Sequence, residues 1–277
     1  MLRSSALAFL LVLPALALVG LLFLYPLGFS LVSALTDAGG AFSLGHFAKA
    51  WQLYSGDMVF TIVIVVAATA GTAATAIAIA GTLTLSESPL FVRLLGALYR
   101  WPLFIPFIVA AQCMRTFLAK NGLMNNSFEA LGLIGPLHAT SFLDWRGIVF
   151  TFVWKQAPFV TLLLAGAMAA LDRSTIEAAR NLGASRLRVL FDVLLPQVVP
   201  TLLVALTLSF VTMLSVLSVP MMVAGTQPTM LTVDMAFRIN AYGDYATANA
   251  LGVISYAVTA AAAFFYLRHS TKMEEAR

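Results

Sequence analysis

The sequence predicts an all-α, polytopic membrane protein with about six transmembrane helices, and two observations carry that reading. Of its 277 residues, 61% are apolar and only 10% are charged, whereas a soluble domain carries about 25% charged residues. The apolar residues also fall in long runs, several of which reach the roughly 20 residues that cross a bilayer. A β-barrel would instead read as short alternating segments, and the sequence holds none.

In chain order the spans read as residues 6–34, 58–83, 101–118, 148–170, 198–223 and 248–267. Arg3 followed by an apolar run over 6–20 imitates a signal peptide. The run continues to residue 34 without a convincing cleavage site, so a retained first helix is expected. Pro14, Pro26, Pro106 and Pro158 lie inside or near spans, where neighbouring helices tolerate the break. In the second span Ala70, Ala74 and Ala78, with Gly71 and Gly81 nearby, give the small-xxx-small spacing that lets helix backbones approach. The single cysteine, Cys113, excludes an intrachain disulfide and reads as a small packing residue.

The formal charge of +4 belongs to loops and does not point to nucleic acid. With the N-terminus inside, Arg3, Arg93, Arg100, Arg173, Arg180, Arg186, Arg188, Arg268, Lys272 and Arg277 are cytoplasmic. Lys49, Lys120, Arg146 and Arg238 are outside. This asymmetry puts both termini in the cytoplasm of a cell with a cytoplasmic (inner) membrane. The chain is read as one transmembrane domain over residues 1–277, with a distinct loop at 171–196.

That loop is the most charged stretch of the chain. Ser174 and Glu177 have the spacing of a capping box, which satisfies the free amides of a new helix. Gly183 suits the left-handed residue that ends a helix, and Ser185 suits the cap of the next. Leu187, Leu190, Phe191 and Leu194 repeat as one apolar stripe, and Pro196 is expected to stop the helix before the fifth span. Ala178 and Ala179 are small enough for another protein to approach. The loop therefore reads as a rigid helix–Gly–helix elbow on the cytoplasmic side.

The run Glu177-Ala178-Ala179-x3-Gly183-x9-Val193-x-Leu195-Pro196 resembles the EAA loop of binding-protein-dependent ABC importer permeases, E-A-A-x3-G-x9-I-x-L-P, with Val in place of Ile. Gly122-Leu123-Met124-Asn125 is similar to the G-L-x-N segment of the same family. Residues 154–159 are similar to the start of its fourth span. Residues 172–268 look most like permeases for polyamines, ferric iron and aminoethylphosphonate. The resemblance implies two permeases (a heterodimer favoured, a homodimer allowed), two ATPase subunits docked on residues 171–196, and an extracytoplasmic binding protein. It assigns ATPase coupling to Ser174, Glu177, Ala178, Ala179, Gly183, Leu187, Leu190 and Pro196.

No G-x-x-x-x-G-K-[ST] phosphate loop is present, so the chain is expected to hold no cofactor. ATP and Mg2+ would be bound by the partner ATPase, and no catalytic residue is expected here. His46, His138, His269 and the carboxylates show no metal-ligand spacing. A secondary transporter is the rival class. It commonly keeps carboxylates in the membrane, and all twelve Asp and Glu read as loop or tail residues. Four residues are candidates for the substrate path: Gln112, Arg115, Lys155 and Gln156. Lys155 has three readings: a snorkelling anchor, a cavity-lining cation, or a partner for another helix. Gln156 points about 100° away from it on a helix. Asp234, Arg238 and Asp244 lie in the outer connection between the fifth and sixth spans, where a solvated loop is expected and contact with the binding protein is the alternative. A cation without an intramembrane carboxylate favours a phosphonate- or carboxylate-bearing solute, with polyamine or ferric iron as the alternative.

Overall fold

The computed structural model describes residues 2–37, 39–224 and 228–275, with side chains over 11–37, 39–135, 137–224 and 228–264. The side chains of the terminal cations counted above, Arg3, Arg268, Lys272 and Arg277, and that of His269, lie outside the described residues. Among the described residues, thirteen α-helices form, together with two π-turns and two 3-10 turns. No strand forms among the described residues; Thr36 and Phe42 make an isolated bridge. Five helical stretches are long and apolar enough to cross a membrane, and a bent pair makes a sixth. Two compact units divide the described residues: those up to 56 together with 234–258, and 57–233 together with those from 259 on.

The first span is α1 (Leu2–Val19), a π-turn (Gly20–Leu24) and α2 (Tyr25–Leu35). The second, α3 (Gly45–Leu85), has 41 residues, about 60 Å of helix against a hydrocarbon core of about 30 Å. It is longer than the expected 58–83 because its first turns carry polar residues that hydropathy alone places outside. Asp57, expected in a loop, lies within α3 and is buried. Its Oδ1 accepts the Thr229 N–H at 2.9 Å, and the Thr61 hydroxyl accepts the Leu231 N–H at 3.0 Å.

The third span is broken. α4 (Pro89–Leu98) and a 3-10 turn (Trp101–Phe104) precede α5 (Phe107–Leu118) and α6 (Leu123–Ala130), and the two halves bend by 109°. The cause is local. Ile105 is extended (φ −90°, ψ 122°), as residues before proline tend to be, and Pro106 has no N–H for the carbonyl of Pro102. Cys113, on α5, is exposed rather than packed. Asn125 is buried, and its Nδ2 donates to the carbonyls of Ala119, Lys120 and Thr140.

The fourth span, α7 (Trp145–Ala169), is capped by Asp144, whose side chain accepts the Arg146 N–H. The Arg146 guanidinium holds the Asp144 carboxyl below its ordinary value. Next come the elbow helices α8 (Arg173–Asn181) and α9 (Arg186–Arg188), a π-turn (Val189–Leu194) and α10 (Leu195–Ser215). The fifth span thus runs as one helical stretch, Arg186–Ser215, and differs from the expected 198–223 at both ends. Val216 is extended. Four residues on, Pro220 has no N–H to return to its carbonyl, so the chain restarts as α11 (Ser218–Val223).

After α12 (Leu231–Tyr242), the last span is α13 (Tyr245–Glu275). Asp234, Arg238 and Asp244 are not in a solvated loop. Asp234 is buried on α12. Arg238 donates to the Tyr54 hydroxyl and stacks on Tyr54 and Tyr242. Asp244 pairs with Lys49 at 2.6 Å and caps α13 through the Thr247 N–H. Burial pushes the Asp244 carboxyl up, but Lys49 and Thr247 outweigh it and bring it down to about 2.

A candidate coupling elbow and an intramembrane lysine

Residues 171–196 form the helix–Gly–helix elbow, with three departures from the sequence expectation. The first concerns the cap of α8. Asp172 Oδ1, not Ser174, takes that role by accepting the Ser174 N–H at 2.9 Å. The Ser174 N–H and hydroxyl lower the Asp172 carboxyl below its ordinary value. Ser174 lies inside the first turn and Glu177 in the second, so they form no capping box. An ionised Asp two residues earlier both caps the helix and faces its positive end.

At the other end, Gly183 has φ +81°. The Ala184 N–H donates to the Ala179 carbonyl at 3.1 Å, and the Gly183 N–H to the Arg180 carbonyl at 2.9 Å. These are the two bonds of a Schellman turn, which ties off the last carbonyls of a helix. Ser185 then caps α9 by accepting the Arg188 N–H. The elbow is therefore stiff on both sides of its turn.

The second departure is in the apolar stripe. Leu190 and Leu194 are buried together with Val189, whereas Leu187 and Phe191 are exposed. The π-turn over Val189–Leu194 adds a residue to the turn and rotates the stripe out of 3.6-residue phase. The buried side joins one cluster: Ala80 and Leu85 of α3, Val160, Leu164 and Met168 of α7, Leu194, and Val198 and Leu202 of α10. Ile176, Ala179 and Ala184 pack against the same cluster. Losing a buried leucine from such a core costs about 2–5 kcal/mol. Ser174, Glu177 and Ala178 face outward.

Leu182 is 89% exposed at the tip of the turn. Sequence reasoning missed it, because it lies outside both apolar stripes; its signal is a large apolar residue directly before the turn glycine.

The third departure is Pro196, which does not stop the helix. It sits in the first turn of α10 with helix on both sides. The Leu195 N–H donates to Leu190 O, and Gln197 Nε2 donates to Val193 O at 2.7 Å.

Of the four substrate-path candidates, Gln112 and Arg115 are exposed on α5, and Lys155 and Gln156 are buried in α7. No hydrogen bond joins the two pairs among the described residues. Lys155 Nζ donates to Pro102 O at 2.6 Å, lies 3.4 Å from Leu103 O, and sits 5.1 Å from the centre of the Phe107 ring. It is held at the break of the third span, where its hydrogen-bond partners are another element's backbone carbonyls. Gln156 Nε2 is buried with no hydrogen-bond partner among the described residues. Among the described residues no group of His, Cys, Asp and Glu has metal-site geometry.

The profile of the family described as "Binding-protein-dependent transport system inner membrane component" matches residues 88–273. The chain is 29% identical over 158 residues to the sulfoquinovosyl glycerol transport system permease protein of Agrobacterium fabrum, covering 55% of this chain and 51% of the relative. It is 29% identical over 180 residues to the trehalose/maltose transport system permease protein of Thermococcus litoralis, covering 63% and 61%. It is 27% identical over 126 residues to the molybdenum transport system permease protein of Escherichia coli, covering 42% and 49%. The matched region thus spans less than two thirds of these relatives. In fold, the chain is similar to a chain of a bacterial alginate ABC transporter solved with an alginate-bound periplasmic protein. That similarity has TM-score 0.81 and 21% identity, covering 98% of this chain and 96% of that one. A methionine ABC transporter in an inward-facing state gives TM-score 0.63 at 18% identity, covering 82% and 98%.

Proposed function

The chain belongs to the family of binding-protein-dependent transport system inner membrane components, and from that premise we propose that it is one permease subunit of an ATP-driven importer. The observation that carries this reading is the elbow. The E-A-A-x3-G spacing coincides with a capped helix, a Schellman turn at Gly183 and a second capped helix. Its inner side is packed on α3, α7 and α10. Its outer side presents Ser174, Glu177, Ala178 and Leu182 to a partner. The partner is a separate ATPase subunit, which binds ATP and Mg2+. A second permease, favoured as a homologue rather than a copy, completes the path, and an extracytoplasmic binding protein delivers the solute. Closure of the ATPase dimer moves the elbow, and the elbow rocks the spans between inward and outward access. Both termini and the elbow face the cytoplasm.

The solute is small and polar. Relatives named for sulfoquinovosyl glycerol, trehalose/maltose and molybdenum favour a sugar or an oxyanion over a phosphonate, a polyamine or ferric iron. Lys155 holds its ammonium on the Pro102 and Leu103 carbonyls, which leaves Arg115 as the exposed cation among the four path candidates and weakens the charge preference for a phosphonate or carboxylate. Two measurements test the reading. The cognate binding protein is screened against sugars, sulfate, molybdate, phosphonates, polyamines and ferric iron. The assembled transporter in vesicles is then assayed for uptake of the hit. Uptake that requires ATP supports an importer, and uptake driven by a proton or sodium gradient without ATP would refute it.

A further inference from the structure

We propose that Glu87 is a positioning residue that clamps both helices of the elbow to the end of α3, so that displacement of the elbow is passed to the second span. The inference rests on the reading of the elbow as the ATPase-coupling element. Glu87 follows the last residue of α3 by two positions. Its Oε1 lies 3.2 Å from Arg180 Nη1 and 3.1 Å from Arg186 Nη2. Arg180 is in the last turn of α8 and Arg186 is the first residue of α9. They stand three residues on either side of Gly183. The left-handed turn brings two guanidinium groups onto one carboxylate oxygen, which neither helix could do alone.

Arg180 makes a second attachment. Its Nη2 donates to the Leu85 carbonyl at 3.2 Å, one of the terminal carbonyls that the end of α3 leaves without an intrahelical donor. A cation there also faces the negative end of the helix. Beneath this polar contact the Leu190 side chain lies directly against the α3 backbone at Gly81. A Cβ on Gly81 would lie 2.8 Å from both δ carbons of Leu190, and Leu190 and Leu85 share one buried cluster. The elbow thus meets the end of α3 through an apolar contact and, beyond it, an ionic clamp.

The clamp is not there for stability. Glu87 is 68% exposed, Arg186 58% and Arg180 36%, and exposed ion pairs add little to folding. What a shared carboxylate supplies is register. It neutralises two like charges and fixes both helices relative to one point on α3. Without it the guanidinium groups repel, only the apolar contact with Leu190 and Leu85 and the Arg180 bond to the Leu85 carbonyl hold the elbow to α3, and a shift of the elbow is passed on less completely.

The test uses the assembled transporter in proteoliposomes, with ATP hydrolysis and solute uptake recorded separately. In Glu87→Gln the ATPase should copurify in full and hydrolysis should persist, while solute imported per ATP falls several-fold. Glu87→Arg, which places three cations together, should fall further. Adding Arg186→Glu to Glu87→Arg restores one carboxylate between two arginines and should recover most of the ratio. In the wild type the ratio should fall as ionic strength rises, because exposed charges are screened. Wild-type coupling in Glu87→Arg would overturn the clamp. So would loss of copurifying ATPase in Glu87→Gln, because the carboxylate would then touch the ATPase itself. Gly183→Val, measured in parallel, separates the two levels. If it impairs ATPase docking while the Glu87 variants behave as wild type, the clamp alone fails. If neither has an effect, the elbow reading fails with it.

Discussion

Replacing Lys155 with methionine distinguishes a lysine that holds the protein together from one that meets the solute. Met keeps most of the length and apolar stem but removes the donors. In a continuous helix the Pro102 carbonyl would accept from residue 106, which is a proline without an N–H. That carbonyl instead accepts the Ile105 N–H at 3.3 Å and Lys155 Nζ at 2.6 Å, and Leu103 O lies 3.4 Å from the same ammonium. A hydrogen bond to a charged group contributes about 1.5–3 kcal/mol, and the Ile105 N–H stays on the Pro102 carbonyl when the ammonium is removed. The expected loss for Lys155→Met is therefore about 1.5–3 kcal/mol. Lys155→Glu should lose more, because it sets a carboxylate against two carbonyl oxygens. Thermal unfolding of the purified protein in detergent reads the loss, and uptake by the assembled transporter is recorded beside it. Both variants should melt several degrees below wild type, and the loss of uptake should track the loss of folded protein. If Lys155→Met melts as wild type yet abolishes uptake, the ammonium meets the solute and the structural account fails.

Gly183→Val forces a β-branched side chain to φ +81°, a strain of about 1–3 kcal/mol; the protein should still insert, but ATPase copurification and uptake should fall, and normal values of both would contradict the turn's role. Asp172→Ala should lower the thermal stability of the purified protein, whereas Glu177→Ala should leave it unchanged and weaken only ATPase binding, because Asp172 caps α8 and Glu177 does not. On a Cys113→Ser background, cysteines at Arg188 and Lys272 should resist a membrane-impermeant thiol reagent in intact cells while those at Asn126 and Tyr242 react; the reverse pattern would invert the proposed topology.

Hydropathy and charge made the spans and the elbow legible, because both depend on residues near one another in sequence. Gly183 and Ser185 were readable for the same reason: a turn glycine and a cap act within a few positions. The cap on α8 was misplaced by two residues, because Asp172 and Ser174 are both good caps and only the backbone decides between them. Glu87 was not readable at all. It meets Arg180 across 93 positions, and no local pattern announces such a pair. Lys155 failed in another way. Its position in a span is clear, but its partner is a carbonyl that Pro106 deprives of its helical donor, and a proline's effect on the element it breaks does not say which distant group adds a bond there.

Proline explains the largest departure in the fold, and it bears on how the elbow could transmit force. Pro26 and Pro196 each follow a π-turn by two residues, and in each case the residue just before the proline donates to a carbonyl five positions back: Tyr25 to Gly20 and Leu195 to Leu190. A proline ring collides with the carbonyl four residues earlier in a regular helix. A turn widened by one residue displaces that carbonyl, so the helix bends its hydrogen bonding rather than stopping. The sequence pattern L-P at 195–196 therefore does not separate the elbow from the fifth span. It lets α9 continue into α10 as one helical stretch from Arg186 to Ser215. A flexible joint there would absorb an elbow displacement, whereas a continuous helix carries it into the span. The clamp at Glu87 attaches the same elbow to α3. On this geometry one elbow is rigidly joined to two spans, through the covalent helix on one side and through a carboxylate on the other.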